Sequence, residues 1–132
     1  MNAIRGLERW HAAVDAGSEP ETLAAMIDPD AVFHSPVVHT PQRGRALVTA
    51  YLAAAGQTLG NADFAYVRKL VDGDTAMLEF TTEMDGVHVN GVDIIRFDEE
   101  GHILDFKVMV RPLKAVNKVW EAMAAQLERM QD

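Results

Sequence analysis

Asp93 is the residue in this chain whose placement points most directly to chemistry. It sits in Gly91-Val92-Asp93-Ile94-Ile95-Arg96-Phe97, a run with the two-residue alternation of a strand. Alternation puts Asp93 on one face with Ile95 and Phe97. The flanking runs offer matching faces, Leu78, Phe80, Thr82 and Met84 on one side and Leu104, Phe106, Val108 and Val110 on the other. A carboxyl group facing such a set loses hydration, so its pKa rises and it becomes a neutral hydrogen-bond donor near neutral pH. The plain alternative is an aspartate held by a backbone amide or a tryptophan N–H, with only a structural role. His34 and His39 are the candidate bases, because imidazole titrates nearest neutrality. Alternation turns His34 outward unless Pro36 disturbs its strand, and His39 falls in a loop expected to rim a pocket. Each is equally readable as a surface histidine. His34, His39 and Asp93 are metal ligands by type, but no spacing supports a metal site, so neither metal nor cofactor is expected.

The elements that must position these groups are legible from periodicity. Ile4, Leu7, His11 and Val14, widened by Trp10 and Ala13, predict an amphipathic helix that stops at Gly17. Ser18-Glu19-Pro20-Glu21 reads as a capping box opening a short second helix through Leu23, Met26 and Ile27, ended by Asp28-Pro29-Asp30. Ala31 to Val38 is a short strand broken by Pro36. A third helix follows from about Arg45 to Gln57, with Leu47, Val48, Tyr51, Leu52 and Ala55 inward. Four strands come next, Asp63–Val71, Thr75–Met84, Val87–Phe97 and His102–Arg111, joined by short glycine-bearing connectors that predict antiparallel hairpins. Pro112 stops the last strand. A final helix, at about 113–131, carries Val116, Val119, Trp120, Met123, Leu127 and Met130 on one face. Helices segregated from an antiparallel sheet define an α+β domain spanning residues 1–132.

Composition excludes several classes of function. Twelve basic against twenty acidic side chains leave a net charge of −8, which argues against nucleic-acid and anionic-membrane binding. With 48% hydrophobic residues the chain buries a real core. No apolar run approaches a membrane span, and Met1 to Trp10 carries Arg5, Glu8 and Arg9 without an apolar stretch, so a cytoplasmic protein is expected. There is no cysteine, hence no disulfide or thiolate chemistry. No nucleophile elbow, P-loop or dinucleotide fingerprint is present.

Three segments carry a family resemblance. They are Arg9-Trp10-His11-Ala12-Ala13-Val14-Asp15-Ala16-Gly17; Ile27-Asp28-Pro29-Asp30-Ala31-Val32-Phe33-His34-Ser35-Pro36, followed by Gly44 and a helix bearing Tyr51; and Gly91 to Ile103. In order and spacing the chain resembles the NTF2-like superfamily, more closely its SnoaL-like domains and ketosteroid isomerases. The resemblance implies a cone-shaped, cystatin-like fold, a strongly bent antiparallel sheet wrapped around helices. It also implies a pocket for a small apolar or amphipathic molecule and a homodimer formed through the outer, convex sheet face. On this chain that face would present Glu79, Glu83, Ile94, Arg96, Lys107, Met109 and Arg111, a mixture that suits a polar-rimmed interface; the plain alternative is a solvated sheet face with cross-strand ion pairs worth little each.

Residue by residue, the resemblance carries over only in part. In the isomerases an aspartic acid matching Asp93 is an oxyanion-hole donor. The position of their general base is Ser35, whose hydroxyl cannot replace a carboxylate. Their first-helix tyrosine is matched by Trp10, which donates but does not titrate. Tyr51 matches a supporting helix tyrosine, and Val108 stands where related epoxide hydrolases place an acid. The expected pocket is therefore Trp10, Phe33, Ser35, Tyr51, Leu78, Phe80, Asp93, Phe106, Val108 and Val110, with His34 or His39 as base. The expected function is that of a SnoaL-like pocket protein, an isomerase, cyclase or hydratase acting on a largely apolar carbonyl compound. The alternative is a non-catalytic ligand-binding or dimerisation module.

Overall fold

The computed structural model describes residues 2–130. Helix α1 (Asn2–Asp15) and the short α2 (Pro20–Ala25) lead into strand β1 (Ile27–His34). A two-residue strand β2 (Gln42–Arg43) and helix α3 (Arg45–Leu59) follow. The meander β3 (Ala65–Asp72), β4 (Thr75–Met84), β5 (Val87–Phe97) and β6 (Ile103–Arg111) then precedes helix α4 (Leu113–Met130). The six strands form one curved sheet in the order β2-β1-β6-β5-β4-β3. All pairings are antiparallel except β1 with β6, which is parallel. Among the described residues no helix is long and apolar enough to cross a membrane.

The sheet's concave face carries the core. In β4 the residues Ala76, Leu78, Phe80, Thr82 and Met84 are buried, and in β5 so are Val89, Gly91, Asp93, Ile95 and Phe97, following the alternation. Gly91 is required where it stands: a Cβ there would lie 2.3 Å from the Phe80 ring and 2.9 Å from the Met109 carbonyl. Its absence lets Phe80 lie across the sheet.

Several local expectations need correction. Strand β1 begins at Ile27, so Asp28-Pro29-Asp30 lies inside it and does not end α2. The ladder with β6 is irregular between Ile27 and Val32, where a proline without an N–H costs no ladder bond. The strand also ends at His34, short of Pro36. On α1 the buried stripe is Ala3, Leu7, Trp10 and Ala13, while Ile4 is exposed. The reason is Gly6, which sits against the Phe97 ring and rotates the helix's contact line. In α3, Leu47 is exposed and Thr49, Ala53 and Ala54 are buried instead. On α4, Ala115, Val119 and Met123 face the core, whereas Trp120 is exposed; the side chain of Met130 lies outside the described residues. Leu104 was expected inward, but Ile103 is the buried residue. A bulge between Arg96 and Phe97 in the β5–β6 ladder leaves Leu104 as the extra residue.

Candidate functional site

The concave face, α1, α3 and α4 enclose a cavity of about 400 Å³, a volume suited to a small ligand. Its walls are mainly apolar, with Phe33, Phe64, Phe80, Phe106 and Val108 from the sheet side and Leu52 from α3. Helix α4 supplies Val119 and Met123, and Met123 Sδ accepts a hydrogen bond from Thr58 Oγ1 of α3 at 3.4 Å. The long C-terminal helix therefore forms one wall of the cavity. Trp10 packs on Phe106 with centroids 5.0 Å apart, and Phe64 stacks on Phe80 at 5.3 Å, fixing rings around the polar centre.

That centre is Asp93, which is buried and sits opposite Leu78 and Val108 in its ladders. Tyr66 Oη–H donates to Asp93 Oδ2 at 3.0 Å, and Trp10 Nε1–H donates to Tyr66 Oη at 3.0 Å. Indole can only donate, so Trp10 donates to Tyr66, and the Tyr66 hydroxyl proton is left to point at Asp93. Oδ2 is thus an acceptor, and when Asp93 is neutral its proton resides on Oδ1. No hydrogen bond to Oδ1 forms among the described residues, and Asp93 lines the cavity. Burial raises the Asp93 pKa from 3.8 to about 7, against a smaller downward pull from the Tyr66 hydrogen bond. The same burial, reinforced by the Asp93 charge, pushes the Tyr66 phenol well above its usual range, so it stays protonated. His11 sets its ring edge-on to Tyr66 at 5.5 Å; burial, and then the Lys69 charge, lower its pKa. The site can donate one hydrogen bond to a ligand oxygen below the Asp93 pKa and accept one above it.

Of the expected pocket residues, Trp10, Phe33, Ser35, Phe80, Asp93, Phe106 and Val108 line the cavity together. Tyr51, Leu78 and Val110 do not. Tyr51 packs behind the wall on Phe33, with centroids 5.4 Å apart. Leu78 is fully buried in the core, and Val110, opposite Gly91 near the end of β6, borders a groove on the far sheet face. Neither histidine enters the cavity. His34 keeps the outward parity of β1 and places Nε2 2.9 Å from Asp105 Oδ1 on the convex side. His39 is exposed in the loop after β1. His34, His39 and Asp93 are therefore not brought together as metal ligands. Ser35 Oγ accepts the Val37 N–H at 3.1 Å, holding the loop at the cavity wall.

Tyr66 was absent from the expected site, although it is the direct partner of Asp93. A regular β3–β4 hairpin, running from Asp72↔Thr75 to Arg68↔Glu79, would set Tyr66 opposite Thr81 on the convex face. A bulge between Tyr66 and Arg68 shifts it opposite Phe80 and turns it inward. The aromatic pair Phe64/Tyr66 at the start of an exposed edge strand was the available signal.

Comparison with known proteins agrees with this architecture. Residues 7–106 match the SnoaL-like domain family. The chain is 36% identical to the crystal structure of a steroid delta-isomerase from Pseudomonas aeruginosa, with a TM-score of 0.90 over 98% of this chain and 94% of that one. It is 31% identical to an uncharacterized bacterial protein with a cystatin-like fold from Silicibacter pomeroyi, with a TM-score of 0.83 over 92% and 84%. A steroid Delta-isomerase from Nocardioides simplex is 26% identical over 99 residues, 74% of this chain and 80% of that protein. The chain belongs to the SnoaL-like domain family and has its NTF2-like, cystatin-like α+β fold.

Proposed function

We propose that this SnoaL-like protein binds a small, largely apolar carbonyl compound in the cavity, with neutral Asp93 donating its Oδ1 proton to the ligand oxygen. The observation that carries the reading is the Trp10–Tyr66–Asp93 chain, which occupies one carboxyl oxygen and leaves the other for a ligand. A carboxyl group titrating at about 7 is also well matched to moving protons near neutrality. Polarising a carbonyl acidifies its α-carbon, so the reaction class supported best is proton transfer next to a carbonyl, as the named isomerase relatives suggest. A second reading, a binding module without turnover, is favoured by one specific observation. Ser35 stands where the base is expected, and neither His34 nor His39 lines the cavity.

Acetonaphthone, an apolar aryl ketone, separates these readings. Calorimetric titration should show binding that Asp93→Leu removes. Deuterium uptake at the ketone's methyl group, followed by NMR in heavy water, should appear with the wild type and vanish with Asp93→Asn if the site moves protons. Binding without exchange selects the module. Unchanged affinity in Asp93→Leu would overturn both.

We also propose a homodimer through the convex face. Leu70, Met77 and Met109 are exposed there and border a groove rimmed by Arg68, Glu79 and Arg111. Apolar residues ringed by both charge signs suit a self-complementary two-fold contact.

A further inference from the structure

We propose that Ser18 is a second polar anchor in the cavity, so that the ligand carries a neutral hydrogen-bonding oxygen at each end of an apolar body. The inference rests on the pocket reading above and specifies the ligand it takes.

Ser18 was expected to cap α2, and it does not. Glu19 stands at the N-cap position and makes no side-chain cap. The Ser18 backbone instead closes α1: its N–H donates to the Ala13 carbonyl at 2.9 Å, and the Gly17 N–H to the Val14 carbonyl at 3.0 Å. This is a glycine-terminated helix end, with Gly17 at φ 98°. Ser18 itself takes φ 54°, a left-handed conformation that turns its side chain away from α2. The side chain then meets α3 at Gly56, where a Cβ would fall 2.5 Å from Ser18 Oγ. Glycine at 56 is what makes room for the hydroxyl. Ser18 is only 5% exposed and lines the cavity, and none of the side-chain hydrogen bonds at this end of the cavity, from Gln57 and Thr58, involves its Oγ. Thr49 Oγ1 is the one fully buried side-chain polar atom without a partner among the described residues, so Ser18 Oγ is not sealed off but opens into the cavity, free to meet a ligand oxygen.

The two anchors stand apart. Trp10 marks the Asp93 end of the cavity through Tyr66. From Trp10, α1 continues to Asp15, and the turn carries the chain on to Ser18. Along α1 this sets Ser18 about two helical turns beyond Trp10. Asp15 and Gln57 line the cavity at the Ser18 end. The Asp15 carboxylate disfavours an anionic group there, and the neutral Ser18 hydroxyl, which both donates and accepts, is matched by a hydroxyl or a ketone oxygen.

Two rigid probes test this. para,para′-Dihydroxybiphenyl carries an oxygen at each end of a rigid apolar body; para-hydroxybiphenyl carries one. Titrated below the Asp93 pKa, the wild type should bind the first about fivefold to tenfold more tightly than the second, the worth of one added hydrogen bond. Ser18→Ala should bring the two affinities within about twofold while leaving the single-oxygen probe unchanged. Ser18→Gly, which suits the positive φ, should do the same and covers the case in which the alanine variant folds poorly. Equal wild-type affinities, or a preference that survives both substitutions, would overturn the second anchor. If the single-oxygen probe still binds and weakens in Asp93→Leu, the pocket reading stands without it. If neither probe binds, both fall.

Discussion

Replacing Asp93 with asparagine should stabilise the protein at alkaline pH and do little at acid pH. In the folded state Asp93 is held neutral up to about 7, whereas in the unfolded chain it ionises near 3.8. Between those values the folded state binds the extra proton, so stability falls as pH rises through that window. Below the unfolded value the stabilisation is fully present; above the folded value it is fully lost. Integrated from 3.8 to about 7, the loss is about 4 kcal/mol, a ceiling because water entering the cavity relieves part of the desolvation. Asparagine cannot ionise, and its carbonyl can accept the Tyr66 hydrogen bond as Asp93 Oδ2 does. Its amide then donates from the place of the Oδ1 proton. The assay is urea unfolding of both proteins at a series of pH values. The difference between them cancels every other titrating group that behaves alike in both. It should be near zero around pH 4, grow to at most about 4 kcal/mol in favour of the asparagine variant by about pH 8, and level off above. Parallel curves would refute the buried neutral acid, and a wild type gaining on the variant as pH rises would reverse its sign.

Tyr66→Phe should remove the one hydrogen bond that lowers the Asp93 pKa, moving it further up, and should leave Trp10 Nε1–H without its partner. Carboxyl NMR reads the first effect; denaturant unfolding should read a loss of about 1–3 kcal/mol. His34→Gln should change acetonaphthone affinity by less than about twofold, because His34 pairs with Asp105 outside the cavity; a larger loss in calorimetry would return the histidine to the site. Met109→Glu should convert the proposed dimer to monomer in sedimentation at micromolar concentration by placing a charge in the exposed convex groove. A dimer that persists would move the interface elsewhere.

What the sequence made legible followed from regular alternation. Leu78, Phe80, Asp93, Ile95, Phe106 and Val108 occupy the faces that parity assigns, and the glycine-bearing connectors mark the hairpins. What it hid lies at irregularities. The bulge beside Tyr66 reverses one strand's parity, and the bulge at Leu104 exchanges it for Ile103. A bulge is set by the partner strand and by packing across the sheet, which a local pattern does not contain. Ser18 was hidden differently: its capping signal was locally sound, and the closure of α1 took the residue for another purpose. The wall supplied by Val119 and Met123 depends on where α4 docks, which its own periodicity does not state.

Asp93 is proposed to meet its ligand as a neutral donor, and the pH dependence of ketone affinity reads that charge state out. A ketone can only accept, so acetonaphthone should bind with constant affinity below about pH 7 and lose about tenfold for each pH unit above it. In Asp93→Asn the affinity should be flat across the whole range. A wild-type affinity that stays flat well above that value, or a decline of the same slope in the asparagine variant, would contradict the claim.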